Sequence, residues 1–152
     1  INRPSNFCVG AAGYPEKHFE AMNLNSDMKH LKRKVDAGVD FIVTQLFYDN
    51  KKYFEFVDKC RAMDINVPII PGIKPLTTLK HLSFIPKFFH VNFPDALSTE
   101  LEKCKTNEAI KKVGREWAIQ QCKELVDAKV PVLHFYTMGK GEAVKKIASN
   151  IF

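Results

Sequence analysis

The sequence predicts an α/β chain of consecutive strand–helix units, and three observations predict it. Four short apolar runs are bounded by turn residues, amphipathic patterns of helical period separate them, and one joint between helix and strand recurs three times.

The runs cover residues 7–12, 40–47, 67–73 and 132–137. None alternates cleanly between apolar and polar, so the pattern is that of parallel strands covered on both faces. In the first helical pattern Met28, Leu31 and Val35 share a face, and Gly38 offers a left-handed terminus. Tyr53, Phe56, Val57 and Cys60 repeat the spacing. Ile110, Val113, Trp117, Cys122 and Leu125 define a longer helix with Asn107 as its expected N-cap, and a last helix is expected over about residues 142–151. Residues 75–107 exceed one crossover helix. Pro86 and Pro94 are expected to break that stretch into two short helices, with a loop through 88–93.

The recurring joint reads Val35-Asp36-Ala37-Gly38-Val39, Arg61-Ala62-Met63-Asp64-Ile65 and Val126-Asp127-Ala128-Lys129-Val130. Three such joints point to consecutive right-handed βα units. Four units make half of a (βα)8 barrel or a small open α/β sheet, and pattern alone leaves both open.

Composition narrows the function classes. The chain has 152 residues, 45% hydrophobic and 26% charged, with twelve Phe, which supplies a packed core and argues against disorder. The reading is a single domain over 1–152. Its net charge of +6 is scattered along helices rather than gathered into a basic stripe with interleaved aromatics, which argues against nucleic acid. No apolar run is long enough for a bilayer span, and no secretory pattern opens the chain. It begins at Ile1, close to a strand-like run, as an excised piece of a larger protein would. Cys8, Cys60, Cys104 and Cys122 lack paired short spacings, so they read as buried free thiols in a reducing cytoplasm rather than a metal site.

In either architecture chemistry collects at the C-terminal ends of the strands. Polar residues appear there: Tyr14 to His18 after the first run, Thr44-Gln45 in the second, Lys74 after the third, and His134 to Thr137 in the fourth. A buried Thr-Gln pair needs partners, because an unpaired amide costs on the order of 1–3 kcal/mol. Gly10 and Gly13 do not form a dinucleotide fingerprint, and no phosphate-binding P-loop exists. On spacing alone Arg33 and Lys34 read as a solvated face, and His134 as a core histidine. Lys74 could serve a Schiff-base or phosphate-handling barrel enzyme if its pKa were lowered, although a solvated loop lysine is the plainer reading.

Together these segments resemble the methylenetetrahydrofolate reductases. The residues that carry the likeness are Ala12-Gly13-Tyr14-Pro15 with His18 and Glu20-Ala21, then residues 31–38 (LKRKVDAG) and 40–47 (DFIVTQLF). Pro71-Gly72-Ile73 and His134-Phe135-Tyr136-Thr137 follow in family order.

The resemblance implies strands five to eight of a (βα)8 TIM barrel, the C-terminal half. It also implies FAD, NADH or NADPH as co-substrate, and reduction of 5,10-methylenetetrahydrofolate to 5-methyltetrahydrofolate in one-carbon metabolism and methionine supply. It assigns Tyr14, His18, Ala21, Asp27, His30, Arg33 and Lys34 to the cofactor, and Gln45, His81, Tyr136 and Lys140 to the folate side. His30, His81 and Lys140 depart from residues common in relatives (Asn, Gln and Arg). The general-acid glutamate and a flavin-side aspartate would lie on the first four strands. The chain alone is therefore expected to be inactive, and to self-associate or pair with an N-terminal half. A non-catalytic flavin-binding or subunit-interaction module is the remaining alternative.

Overall fold

A computed structural model describes residues 7–139 and 141–152. Its elements, in order, are β1 (Gly10–Gly13), α1 (Leu24–Asp36), β2 (Phe41–Leu46), α2 (Asn50–Ala62), β3 (Ile69–Ile73), α3 (Lys80–Phe89), α4 (Asp95–Glu102), α5 (Asn107–Asp127), β4 (His134–Phe135) and α6 (Glu142–Ala148). The four strands form one parallel sheet in the order β1-β2-β3-β4. Sequential order without a reversal decides between the two architectures. A doubly wound sheet needs a switch point, and this sheet has none among the described strands, as in part of a TIM barrel.

The three recurring joints are one structural device. Gly38, Asp64 and Lys129 all have positive φ, at 109°, 56° and 58°. The next amide reaches back five residues each time, from Val39 to Lys34 O, Ile65 to Cys60 O and Val130 to Leu125 O, at 3.3, 2.9 and 3.2 Å. That is the Schellman closure, which ends a helix and turns the chain toward the next strand.

Two apolar clusters form the core. One lies where α1, α2 and the second half of α5 meet the sheet, around Leu31, Ile42, Phe56, Ile69 and Leu125. The other joins the sheet's C-terminal end to α3, α4 and the first half of α5, around Leu46, Leu76, Ile85, Leu97 and Ile110. The 21-residue α5 therefore ties both together.

Several expectations need correction. β2 is not covered on both faces: Phe41, Val43 and Gln45 are half-exposed and alternate with buried Ile42, Thr44 and Leu46. The outer strands are shorter than their apolar runs: among the described residues β1 pairs with β2 alone, and β4 with β3 alone over two residues. Val132 is consequently exposed. Pro86 does not break α3; its carbonyl still accepts the His90 amide, and His90, at φ 54°, ends the helix instead. Thr106, not Asn107, caps α5, while Asn107 Oδ1 accepts the Leu79 amide at 2.8 Å. Cys8 is exposed; the other three cysteines are buried, and burial pushes the Cys60 and Cys122 thiols up to about 12.

Tyr48 is 3% exposed, and among the described residues its hydroxyl has no hydrogen-bond partner. Burial pushes its pKa strongly up. Removing an unsatisfied buried hydroxyl while keeping the ring should help, so Tyr48→Phe is expected to stabilise the fold by about 1 kcal/mol. A urea midpoint that stays put or falls would contradict this.

Candidate functional site

The loop after β1 is folded by its own polar groups. Lys17, at φ 79°, bends back so that Nζ donates to the carbonyls of His18, Phe19 and Ala21, the last at 2.6 Å. Ala21 N donates to His18 O, and Asp27, in the first turn of α1, accepts the His18 amide at 2.8 Å. Asn23 and Ser26 close a reciprocal capping box at the start of that helix. Tyr14 meets His18 edge-to-face, with ring centroids 4.5 Å apart. Tyr14, His18, Ala21 and Asp27 are therefore one cluster. Burial, then the charges of Asp27 and Glu20, raises the Tyr14 pKa, so its hydroxyl stays a neutral donor.

His30, Arg33 and Lys34 continue from this cluster. At about 100° per residue, Asp27, His30, Arg33 and Lys34 fall within an arc of roughly 120° on α1, with Met28 on the far side and Leu31 bordering the arc next to Asp27. His30, Arg33 and Lys34 are exposed. Arg33 and Lys34 lie in the helix's last turn, about 13 Å along its axis from its first residue.

On the other side of the sheet's C-terminal end, β2, β3 and the segment after β4 interlock. The β2–β3 register is irregular between Val43 and Leu46. Side chains replace the missing ladder bonds: Thr44 Oγ1 accepts the Gly72 amide at 2.9 Å, and Tyr136 Oη donates to Thr44 O at 2.8 Å. Gln45 turns its Oε1 onto its neighbour's amide, Leu46 N, at 3.0 Å, which leaves its NH2 to donate. Burial raises the Tyr136 pKa, with a smaller contribution from Tyr14.

His81 and Tyr136 line a cavity of about 920 Å³ between α3, α5 and the β4–α6 segment. His81 Nδ1 accepts the Thr77 amide at 3.2 Å, so its Nε2 carries the proton as a donor. Burial and the Lys74 charge lower the His81 pKa and keep it neutral. Gln45 is not among that cavity's described lining, and Lys140 lies outside the described residues. His134 is exposed and packs its ring on Tyr136, so it is not a core histidine.

Three supports were not read from the sequence. The Glu16 carboxylate accepts Asn92 N and Nδ2, the latter at 2.8 Å, and so ties the β1–α1 loop to the loop before α4. From α5, Trp117 Nε1 donates to Tyr48 O and Gln121 Nε2 to Phe47 O, at 2.9 and 3.0 Å. Asn50 Nδ2 donates to Gln121 O and to Glu124. Gln121 left a signal: it sits in the apolar stripe of Ala118, Cys122 and Leu125.

Comparison with known proteins bears on this arrangement. The family model described as methylenetetrahydrofolate reductase matches residues 2–151. The chain is 40% identical over 146 residues to methylenetetrahydrofolate reductase 1 of Schizosaccharomyces pombe, covering 95% of this chain and 24% of that protein. It is 37% identical over 143 residues to the 5,10-methylenetetrahydrofolate reductase of Salmonella typhimurium, covering 93% and 48%. The chain thus spans about a quarter to a half of the curated relatives it matches. A solved structure described as an uncharacterized protein from Clostridium thermocellum that binds two copies of 5-methyl-5,6,7,8-tetrahydrofolic acid shares the fold. Its TM-score is 0.59 at 19% identity, over 95% of this chain and 52% of that one. By the match along nearly its whole length, the chain belongs to the methylenetetrahydrofolate reductase family.

Proposed function

We propose that the protein carrying this chain reduces 5,10-methylenetetrahydrofolate to 5-methyltetrahydrofolate with NADH or NADPH through FAD, and that it works in the cytoplasm in one-carbon metabolism. Relatives named as NADH and NADPH forms support a nicotinamide co-substrate. The observation that carries the cofactor reading is the continuity of the Tyr14–His18–Asp27 cluster with the polar arc of α1. An elongated ligand with an aromatic part and two phosphates fits such a strip. Tyr14 and His18 would border the aromatic part, Ala21 and Asp27 the adjoining loop, and His30, Arg33 and Lys34 the ribose and phosphates. FAD, when bound, supplies the hydride relay between nicotinamide and folate. The Gln45 NH2, the His81 Nε2–H and the Tyr136 ring would meet the folate, and Lys140 is assigned to the same ligand.

The half-exposed face of β2, and the outer edges of β1 and β4, which are unpaired among the described residues, support one further part of this reading. More strands, from an N-terminal half or another copy, complete a barrel whose first four strands carry the proton donor. This chain, residues 1–152, is then a partial domain and turns over nothing alone.

A flavin-fluorescence titration tests the cofactor assignment. Arg33→Ala/Lys34→Ala is expected to weaken FAD binding by about tenfold or more through lost charge-assisted contacts, with the melting temperature nearly unchanged. Unaltered affinity in a folded double variant would reject the assignment.

A further inference from the structure

The segment between α3 and α4, residues 90–94, touches both sides of the site. Asn92 donates twice to Glu16 Oε2, from its backbone amide at 3.2 Å and from Nδ2 at 2.8 Å. Beside that tie Phe19 stacks on His90, with ring centroids 5.1 Å apart and planes inclined by 19°. The stack prolongs a chain of rings, because Phe19 also meets His18 at 4.9 Å and His18 meets Tyr14 at 4.5 Å. On the inner side Val91 is buried in the second core cluster, and Phe93 packs edge-to-face on Tyr48, just beyond the end of β2. His90 itself ends α3, the helix whose first turn carries His81. This short segment thus joins the cofactor cluster to the two elements that carry His81 and Gln45.

The tie is separate from the bonds that fold the β1–α1 loop on itself, which run from Lys17 Nζ to nearby carbonyls and from the His18 amide to Asp27. Glu16 and Asn92 are 76 positions apart, so their contact shapes neither turn locally. Burial raises the Glu16 pKa, and the Asn92 hydrogen bonds and Lys52 oppose that rise. A half-buried carboxylate held by N–H donors constrains more than an exposed ion pair does.

We propose, resting on the cofactor and folate assignments above, that Glu16 and Asn92 form a positioning tie. It fixes the flavin-side loop against the helix and strand that face the folate. Neither residue is assigned to a ligand; each acts through the wall it holds. In a site that orients two reactants, a misplacement of about 1 Å costs on the order of 10²-fold. The expected effects are therefore crossed: a change at Glu16, in the cofactor loop, weakens the folate, and a change at Asn92 weakens FAD.

The test uses the full-length protein. FAD binding is followed by flavin fluorescence, and 5-methyltetrahydrofolate binding by its perturbation of the bound flavin's absorption. Asn92→Asp sets a second carboxylate against Glu16 and should weaken both ligands by about tenfold. Adding Glu16→Gln gives that new carboxylate an NH2 donor, and the double variant should return to within about threefold of wild type for both ligands. Should Asn92→Asp fail to fold, Glu16→Ala and Asn92→Ala replace it. Each should then weaken both ligands by about fivefold, and their double variant no more than the worse single. A loss confined to one ligand, no rescue in a folded Glu16→Gln/Asn92→Asp variant, or additive losses in the alanine set overturns the tie. Wild type that binds neither ligand would remove the reductase reading instead, and the tie with it.

Discussion

Gly72→Ala is expected to lower stability by about 3 kcal/mol, because a β-carbon has nowhere to go at that position. Built on this backbone, it would lie 2.6 Å from the Tyr136 ring and closer still to the Thr44 carbonyl oxygen. Neither neighbour can yield independently. The Thr44 carbonyl accepts the Tyr136 hydroxyl, and Thr44 Oγ1 holds the Gly72 amide itself. Separating the strands therefore strains the backbone and breaks both substitute bonds at the irregular point of the β2–β3 ladder. Urea denaturation measures the loss, with Tyr136→Phe as the comparison. That variant deletes one hydrogen bond and should cost about 1 kcal/mol. A Gly72→Ala loss no larger than that of Tyr136→Phe would mean the strands part freely, and the close packing assigned to this glycine would be wrong.

Gly72 also marks the limit of what the residues disclosed before the fold was known. Pro71-Gly72-Ile73 could be recognised as the end of an apolar strand, and as part of a family likeness, from local sequence. The reason for a glycine could not, since it depends on Thr44 and Tyr136, which are 28 and 64 residues away. The same division runs through the site. Tyr14 and His18 of the β1–α1 loop and Asp27 of α1 lie within fourteen positions of one another, so the resemblance could single them out, although only the fold shows them as one cluster. The helix-to-strand joint was legible, because Schellman closures are made from consecutive residues. Strand lengths were not: residues 7–12 and 132–137 are apolar enough to pair, but pairing needs a neighbour, and among the described residues each outer strand has one. Lys74 was misjudged for a related reason. Next to Pro75 it looks like a solvated loop lysine, whereas the folded chain leaves it 9% exposed.

The second large effect is expected at Gln121, which no motif singles out. Gln121→Ala should cost about 3 kcal/mol, since it empties a nearly fully buried position and strands the Phe47 carbonyl without a donor. The consequence reaches the site. Trp117 and Gln121 hold the carbonyls of Tyr48 and Phe47, the residues that carry β2 past Gln45, so loosening them frees the strand end that positions the amide. Gln121→Met separates the two contributions, because it fills the volume and still leaves the carbonyl unpaired. It should recover roughly half the lost stability. If the proposed role of Gln45 is right, Gln121→Met should also reduce kcat/KM for methylenetetrahydrofolate about as much as Gln121→Ala, while FAD affinity stays unchanged in both. Recovery of kcat/KM in step with stability would mean that packing alone, and not the Phe47 hydrogen bond, sets the strand end.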